Sequence, residues 1–185
     1  MSQGRPFVVC FIDLDNFKPF NDHYGYLKGD EVLLHVARLL QNIVARQTDF
    51  VGHIGGDDFV MILRSADWLS RLKQLIHEFE ASVRLFYSEE HRVTGGIETI
   101  DRYGERRWFA FLTLSVAILN PADQFLTTPE AVSDRLQVIK RAAKAVEGNC
   151  LMIEDPRGFL NLLPEAAPDP VSRDVPYAGR ARQVS

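Results

Sequence analysis

The sequence predicts an α+β domain, and three observations carry that prediction. Apolar runs of strand length alternate with segments whose apolar residues recur every three to four positions, as in helices that pack one face on a sheet. Two pairs of strand-like runs meet at glycine-bearing turns, Gly55-Gly56 and Tyr103-Gly104, and read as hairpins. The chain has 185 residues, 46% of them hydrophobic and 25% charged, which suits one globular core.

Taken in order, Phe7 to Ile12 is a continuous apolar run that ends in Asp13-Leu14-Asp15 and reads as a buried strand. Asn16 to Glu31 reads as a loop. Asp30 to Arg46 places Val32, Leu33, Val36, Leu39, Leu40, Ile43 and Val44 on one helical face. Phe50 to Ile54 and Phe59 to Leu63 flank the Gly55-Gly56 hairpin, and Ala66 to Phe86 reads as a second helix with Leu69, Leu72, Leu75, Ile76 and Phe79 inward. Gly95 to Phe109 forms the other hairpin, and Phe111 to Leu119 a central strand. Thr128-Pro129-Glu130 starts a helix, with a hydroxyl cap, a proline in the first turn and an acid near the positive end of the dipole. That helix is expected to reach Val146 and stop before Gly148, with a last short strand over Cys150 to Glu154. From Pro156 the chain turns rich in Pro, Ala and Arg, so the domain is taken as residues 1–155 and residues 156–185 as a mobile tail.

Charge narrows the function. A net charge of −4 and a pI of about 5.7 leave no basic footprint for a nucleic-acid duplex. Cys10 and Cys150 lie far apart without metal-binding spacing, and Cys10 reads as a core thiol of a reducing compartment. His23, His35, His53, His77 and His91 form no ligand motif. With no signal peptide and no transmembrane run, a cytoplasmic location is expected.

The acids carry the chemistry. Asp57 and Asp58 are adjacent at the tip of a hairpin, where like charges repel and call for a cation or a proton. Asp13 and Asp15 end a strand. Carboxylates gathered in this way suit Mg²⁺ or Mn²⁺ in phosphoryl transfer, because a hard cation takes a few oxygens from protein and the rest from substrate phosphates. The following loop offers Lys18 for phosphate, Asn21, Asp22 and Asp30 for a base edge, and glycines for close backbone approach. A solvated acidic turn is the plainer reading of Gly55 to Phe59 alone.

The blocks Phe11-Ile-Asp-Leu-Asp-Asn-Phe-Lys18, Asn21-Asp22, Gly25, Gly29-Asp30-Glu31 and Gly55-Gly-Asp-Asp-Phe59 resemble, in order and spacing over residues 7–150, the GGDEF domain, the diguanylate cyclase module of bacterial signal transduction. The stretch Phe17 to Tyr26 looks most like a subset fused to EAL and CBS domains. The resemblance implies a palm-like fold of the nucleotidyl cyclase and ferredoxin-like kind. Its central, mainly antiparallel sheet is flanked by helices in the order βααββαβ, with an added hairpin. It also implies a homodimer in which each protomer binds one GTP. The 3′-hydroxyl of each GTP attacks the α-phosphate of the other, giving cyclic di-GMP and two pyrophosphates.

Carried over by position, Asp13 and Asp57 match metal ligands, Leu14 adds a backbone carbonyl, and Asp57 doubles as candidate base for the 3′-hydroxyl. Asp58 stands in the other catalytic acid position. Asn21 and Asp30 match the guanine-reading pair, Phe17 and Lys18 the turn over the phosphates, and Lys144 a phosphate-binding lysine of the last helix. Arg46-Gln47-Thr48-Asp49, with five residues between it and Gly55, matches the RxxD signature of the product-binding inhibitory site, so Arg46 and Asp49 are its candidates. Plainer readings stand beside these. Asp30 can cap a helix, Lys144 can be a solvated lysine, Asn21 a turn former, Phe17 a core residue, and Arg46 and Asp49 ordinary residues at a helix end and in a loop. Asp13 has the weakest alternative, since an acid directly after a buried strand is costly without a partner.

The chain departs from the pattern at four places. Asp58 replaces the usual glutamate, Gly148 stands where an arginine follows the lysine, and His53-Ile54 replaces an arginine-aromatic pair. The opening helix of the family is expected to be missing because six residues precede Phe7, so the chain reads as a trimmed piece of a larger protein. Two functions are therefore carried forward: a product-inhibited cyclase, or a degenerate domain that binds GTP or cyclic di-GMP and regulates fused partners. A palm-like polymerase is a remoter third, disfavoured by Asn21, Asp30, Arg46 and Asp49.

Overall fold

The computed structural model describes residues 7–100, 104–121, 126–155 and 157–163. Its framework is a six-stranded sheet made of β1 (Val8–Asp15), β2 (Phe50–Gly55), β3 (Asp58–Leu63), β6 (Thr113–Leu119), β7 (Cys150–Asp155) and β8 (Gly158–Asn161), in spatial order β2-β3-β1-β6-β7-β8. Among the described residues only the β6–β7 pair is parallel, and α5 (Pro129–Ala143) lies between those strands in the chain. The expected α+β class and mainly antiparallel sheet are thus present. A separate two-stranded ribbon holds β4 (Gly96–Ile100) and β5 (Arg106–Ala110). The tip of this expected hairpin, residues 101–103, lies outside the described residues, as does the predicted tail from residue 164.

β1 is central and buried on both faces, which explains its unbroken apolar run. Alternation sorts its side chains. Val8, Cys10, Ile12 and Leu14 face the larger core with Val32, Val36 and Leu40 of α2 (Tyr26–Ile43) and Leu72, Leu75 and Phe79 of α3 (Trp68–Val83). Val9 and Phe11 face the other layer with Leu136, Ile139 and Ala143 of α5. Asp13 and Asp15 share that second phase, so both acids emerge under α5.

Four expectations are corrected. The loop over Asn16 to Glu31 is two helices: α1 (Phe17–Tyr24), then α2, which begins at Tyr26. Phe17 and Phe20 bury one face of α1, and Gly25 at φ 86° makes the break that allows the chain to turn between the helices. Asp30 therefore sits one turn inside α2 and does not cap it. A further helix, α4 (Glu89–Thr94), starts where the Ser88 hydroxyl accepts the His91 amide. The last long helix stops at Ala143 and tightens, with Ala145 and Val146 donating to carbonyls three residues back. Finally, the sheet continues past residue 155, because β8 pairs with β7 and Asn161 accepts from the amides of Leu151 and Leu163.

Candidate active site

The β1–β3 register sets Asp13 directly opposite Asp58, and the β1–β6 register sets it opposite Ser115. Asp57 precedes β3 in the tight turn after Gly55 and Gly56, where Gly56 takes a φ of 57° that a side chain would resist. Carboxylate oxygens of Asp13, Asp57 and Asp58 consequently lie within 4.8 Å of one another. Asp13 is 3% exposed, and the other two are partly buried. Burial pushes the carboxyl of Asp57 up, and the charge of Asp13 adds to this. Burial also raises Asp58, although a hydrogen bond from Lys140 works against it. Carboxylates held together against desolvation and mutual repulsion are relieved by a cation. Three hard oxygen donors of this kind fit Mg²⁺ or Mn²⁺.

The cations present come from α5. Lys144, at its C-terminal cap, forms an ion pair with Asp13 and lies 3.8 Å from Asp15. Lys140, one turn earlier, is 2.7 Å from an oxygen of Asp13 and donates to Asp58 at 2.7 Å. Its burial lowers the ammonium pKa, but the bonds it donates to Asp13 and Asp58 outweigh this and hold it above its usual value. Asp15 accepts from the hydroxyls of Ser115 at 2.6 Å and Thr113 at 3.2 Å, and burial raises its carboxyl above the ordinary range. Sequence reasoning gave no role to Lys140 or Ser115, and Asp15 entered it only as one of the carboxylates ending a strand. The signals were there: a second lysine four residues before Lys144, and an acid two residues after Asp13, each on the same face as its partner.

The other candidates spread from this centre. Leu14 points away, into the core with α2 and α3. Phe17 is buried at the start of α1, while Lys18 is 73% exposed and paired with Asp22 at 2.7 Å. Across α1 and α2, Asn21 lies against Gly29, the residue before Asp30. A Cβ added at Gly29 would stand 1.8 Å from Asn21 Oδ1, and that buried oxygen has no hydrogen-bond partner. Asp30 follows on the exposed side.

Arg46 and Asp49 behave differently from each other. Arg46 is exposed beside a hollow of about 280 Å³ that it shares with Gln41, Val44, Asp49, Phe50 and Val51. The Asp49 side chain is fully buried. It accepts from the amides of Ala45 and Arg64 at 2.9 Å and pairs with Arg71 at 3.3 Å.

The profile described as "Diguanylate cyclase, GGDEF domain" matches residues 1–107. The chain belongs to the GGDEF family. A diguanylate cyclase of Vibrio cholerae is 35% identical over 89 residues, which is 47% of this chain and 27% of that protein. The bifunctional diguanylate cyclase/cyclic di-GMP phosphodiesterase MucR of Pseudomonas aeruginosa is 31% identical over 126 residues, 65% of this chain and 18% of MucR. This GGDEF chain thus spans only a minor part of the curated relatives it matches. Among solved structures, the active GGEEF domain of a Vibrio cholerae diguanylate cyclase superposes with a TM-score of 0.54 at 24% identity, covering 80% of this chain and 83% of that one. The GGDEF domain of DgcB from Caulobacter crescentus, in complex with c-di-GMP, gives 0.53 at 23%, covering 78% and 75%. Both share the fold. Among the described residues, no helix is long and apolar enough to cross a membrane.

Proposed function

We propose that this GGDEF domain is one half of a diguanylate cyclase, which condenses two GTP into cyclic di-GMP. The observation that carries the reading is the convergence of Asp13, Asp57 and Asp58 at the end of β1, with cationic Lys144 beside them. In each condensation, a 3′-oxygen bonds to the α-phosphorus of the opposing GTP. The bond from that phosphorus to the pyrophosphate oxygen breaks, and Asp57 takes the hydroxyl proton. Asp13 and Asp57, with the Leu14 carbonyl, would hold Mg²⁺ or Mn²⁺, whose charge offsets that of the triphosphate. Lys18 and Lys144 would meet the phosphates near Phe17 at the start of α1, and Asn21 and Asp30 would take the guanine edge. Catalysis then rests on positioning and charge neutralisation.

Product inhibition belongs to the same reading, with Arg46 as the exposed cation for a phosphate of cyclic di-GMP. Asp49 would have to give up an existing bond to read guanine. A homodimer, fused EAL and CBS partners and a cytoplasmic location complete the proposal.

One observation favours the alternative, a GTP or cyclic di-GMP binding module that regulates its partners: Lys140 already neutralises Asp13 and Asp58. Product analysis separates the two readings. With GTP and Mg²⁺ or Mn²⁺, the wild-type chain should release cyclic di-GMP and pyrophosphate, and Asp57→Ala should lower the rate at least a hundredfold. Unchanged turnover in Asp57→Ala would sink the metal-site assignment. Nucleotide binding by the wild type without product would favour the regulatory module.

A further inference from the structure

Lys140 enters the site from α5 with its ammonium 4.6 Å from the ring centroid of Phe11, and its side chain is only 16% exposed. Its nitrogen lies 2.7 Å from Asp13 Oδ2 and 2.7 Å from Asp58 Oδ1, so one charge bridges two strands. Lys144 is less confined, at 40% exposure, and engages Asp13 and Asp15 but not Asp58. Among the described residues, no ion pair reaches Asp57.

We infer that Lys140 is a resident competitor for the divalent cation: its ammonium bridges Asp13 and Asp58, and ion binding requires that bridge to open. The inference rests on the reading of Asp13, Asp57 and Asp58 as metal ligands. Both Asp13 oxygens already meet an ammonium, Oδ2 that of Lys140 and Oδ1 that of Lys144, and Asp58 Oδ1 shares the first, so an entering ion competes with positive charge already held there. The bridge has two effects. It holds opposing carboxylates at close range without metal, offsetting a repulsion that would splay β1 from β3. It also raises the metal concentration needed to fill the site, because a charge of +1 must be displaced before one of +2 enters. Asp58 contributes through its length: its short side chain keeps the carboxylate near the sheet, within reach of an ammonium on α5.

Mn²⁺ titration, followed by the electron paramagnetic resonance of the free ion without nucleotide, tests this on the full chain. Lys140→Met keeps the apolar stem over Phe11 and removes the charge, and it should bind Mn²⁺ at least tenfold more tightly than the wild type. Equal or weaker binding overturns the inference while leaving the metal-site reading intact. If neither protein binds Mn²⁺, the metal-site reading itself fails. Lys140→Gln, which keeps a donor without the charge, takes the same readout should the methionine variant not fold. A structural role alone predicts loosened carboxylates and weaker binding, the opposite sign.

Discussion

At Gly29 a hydrogen occupies the place where any larger substituent would meet Asn21. The collision is with the terminal amide of the Asn21 side chain. Asn21 Oδ1 is buried and without a hydrogen-bond partner among the described residues, so the amide has an acceptor still to satisfy, as expected of a group that waits for a ligand. Gly29→Ala gains about 1 kcal/mol of helix propensity yet forces the amide aside, at about 1–3 kcal/mol for overpacking. The fold should survive, while preference for GTP over ATP should fall about tenfold, since one good hydrogen-bonded contact is worth about 1.4 kcal/mol or more. Competition binding with the two nucleotides measures this. A folded variant with undiminished preference would remove Asn21 from guanine recognition. At this scale the motif acids were legible because Asp-Leu-Asp and Gly-Gly-Asp-Asp are contiguous. Lys140 was not, since its role depends on α5 crossing β1, a fact set by topology.

At the scale of elements, Asp49 is a fastener. It accepts from Ala45 after α2 and from Arg64 after β3, and it pairs with Arg71 of α3, whose guanidinium also donates to the Ile43 carbonyl at the end of α2. Asp49→Asn removes the charge from a carboxylate already buried against a cation. It should destabilise the domain by about 2–3 kcal/mol, read as a lower urea midpoint. Arg46→Ala, on the exposed side, should leave that midpoint unchanged. A stable Asp49→Asn that loses only cyclic di-GMP binding would reverse this assignment. Motif spacing points to the same aspartate but cannot reveal that duty, because Arg64 and Arg71 lie beyond the hairpin. Element legibility followed the same logic. Long amphipathic helices and apolar strands were visible from periodicity. α1 was hidden because Pro19, Asn21 and Asp22 read as loop residues while its buried face rests on only two phenylalanines, and β8 is a short edge strand fixed by its neighbour and by Asn161.

Across the whole molecule, the two kinds of charge come from different parts of the chain. The acids lie within the stretch that matches the family profile, and both lysines lie beyond it, on α5. One chain brings together one set of these acids, whereas the proposed condensation joins two GTP. Product formation per protomer should therefore rise with protein concentration until dimers saturate. Dilution across the dimer range, with cyclic di-GMP quantified by chromatography, checks this, and a constant specific rate would contradict a site shared between copies. The overall architecture was the most legible level, because the motif resemblance implied it and the hydrophobic alternation of the strands agrees with it. That same alternation has a corollary for assembly. If β1 slid by a single residue against β3 and β6, Asp13 and Asp15 would rotate into the apolar layer beneath α2 and α3, away from Lys140 and Lys144. Mispaired chains would bury bare charge and lose their competence in the same slip, so the strand proofreads its own chemistry as it folds.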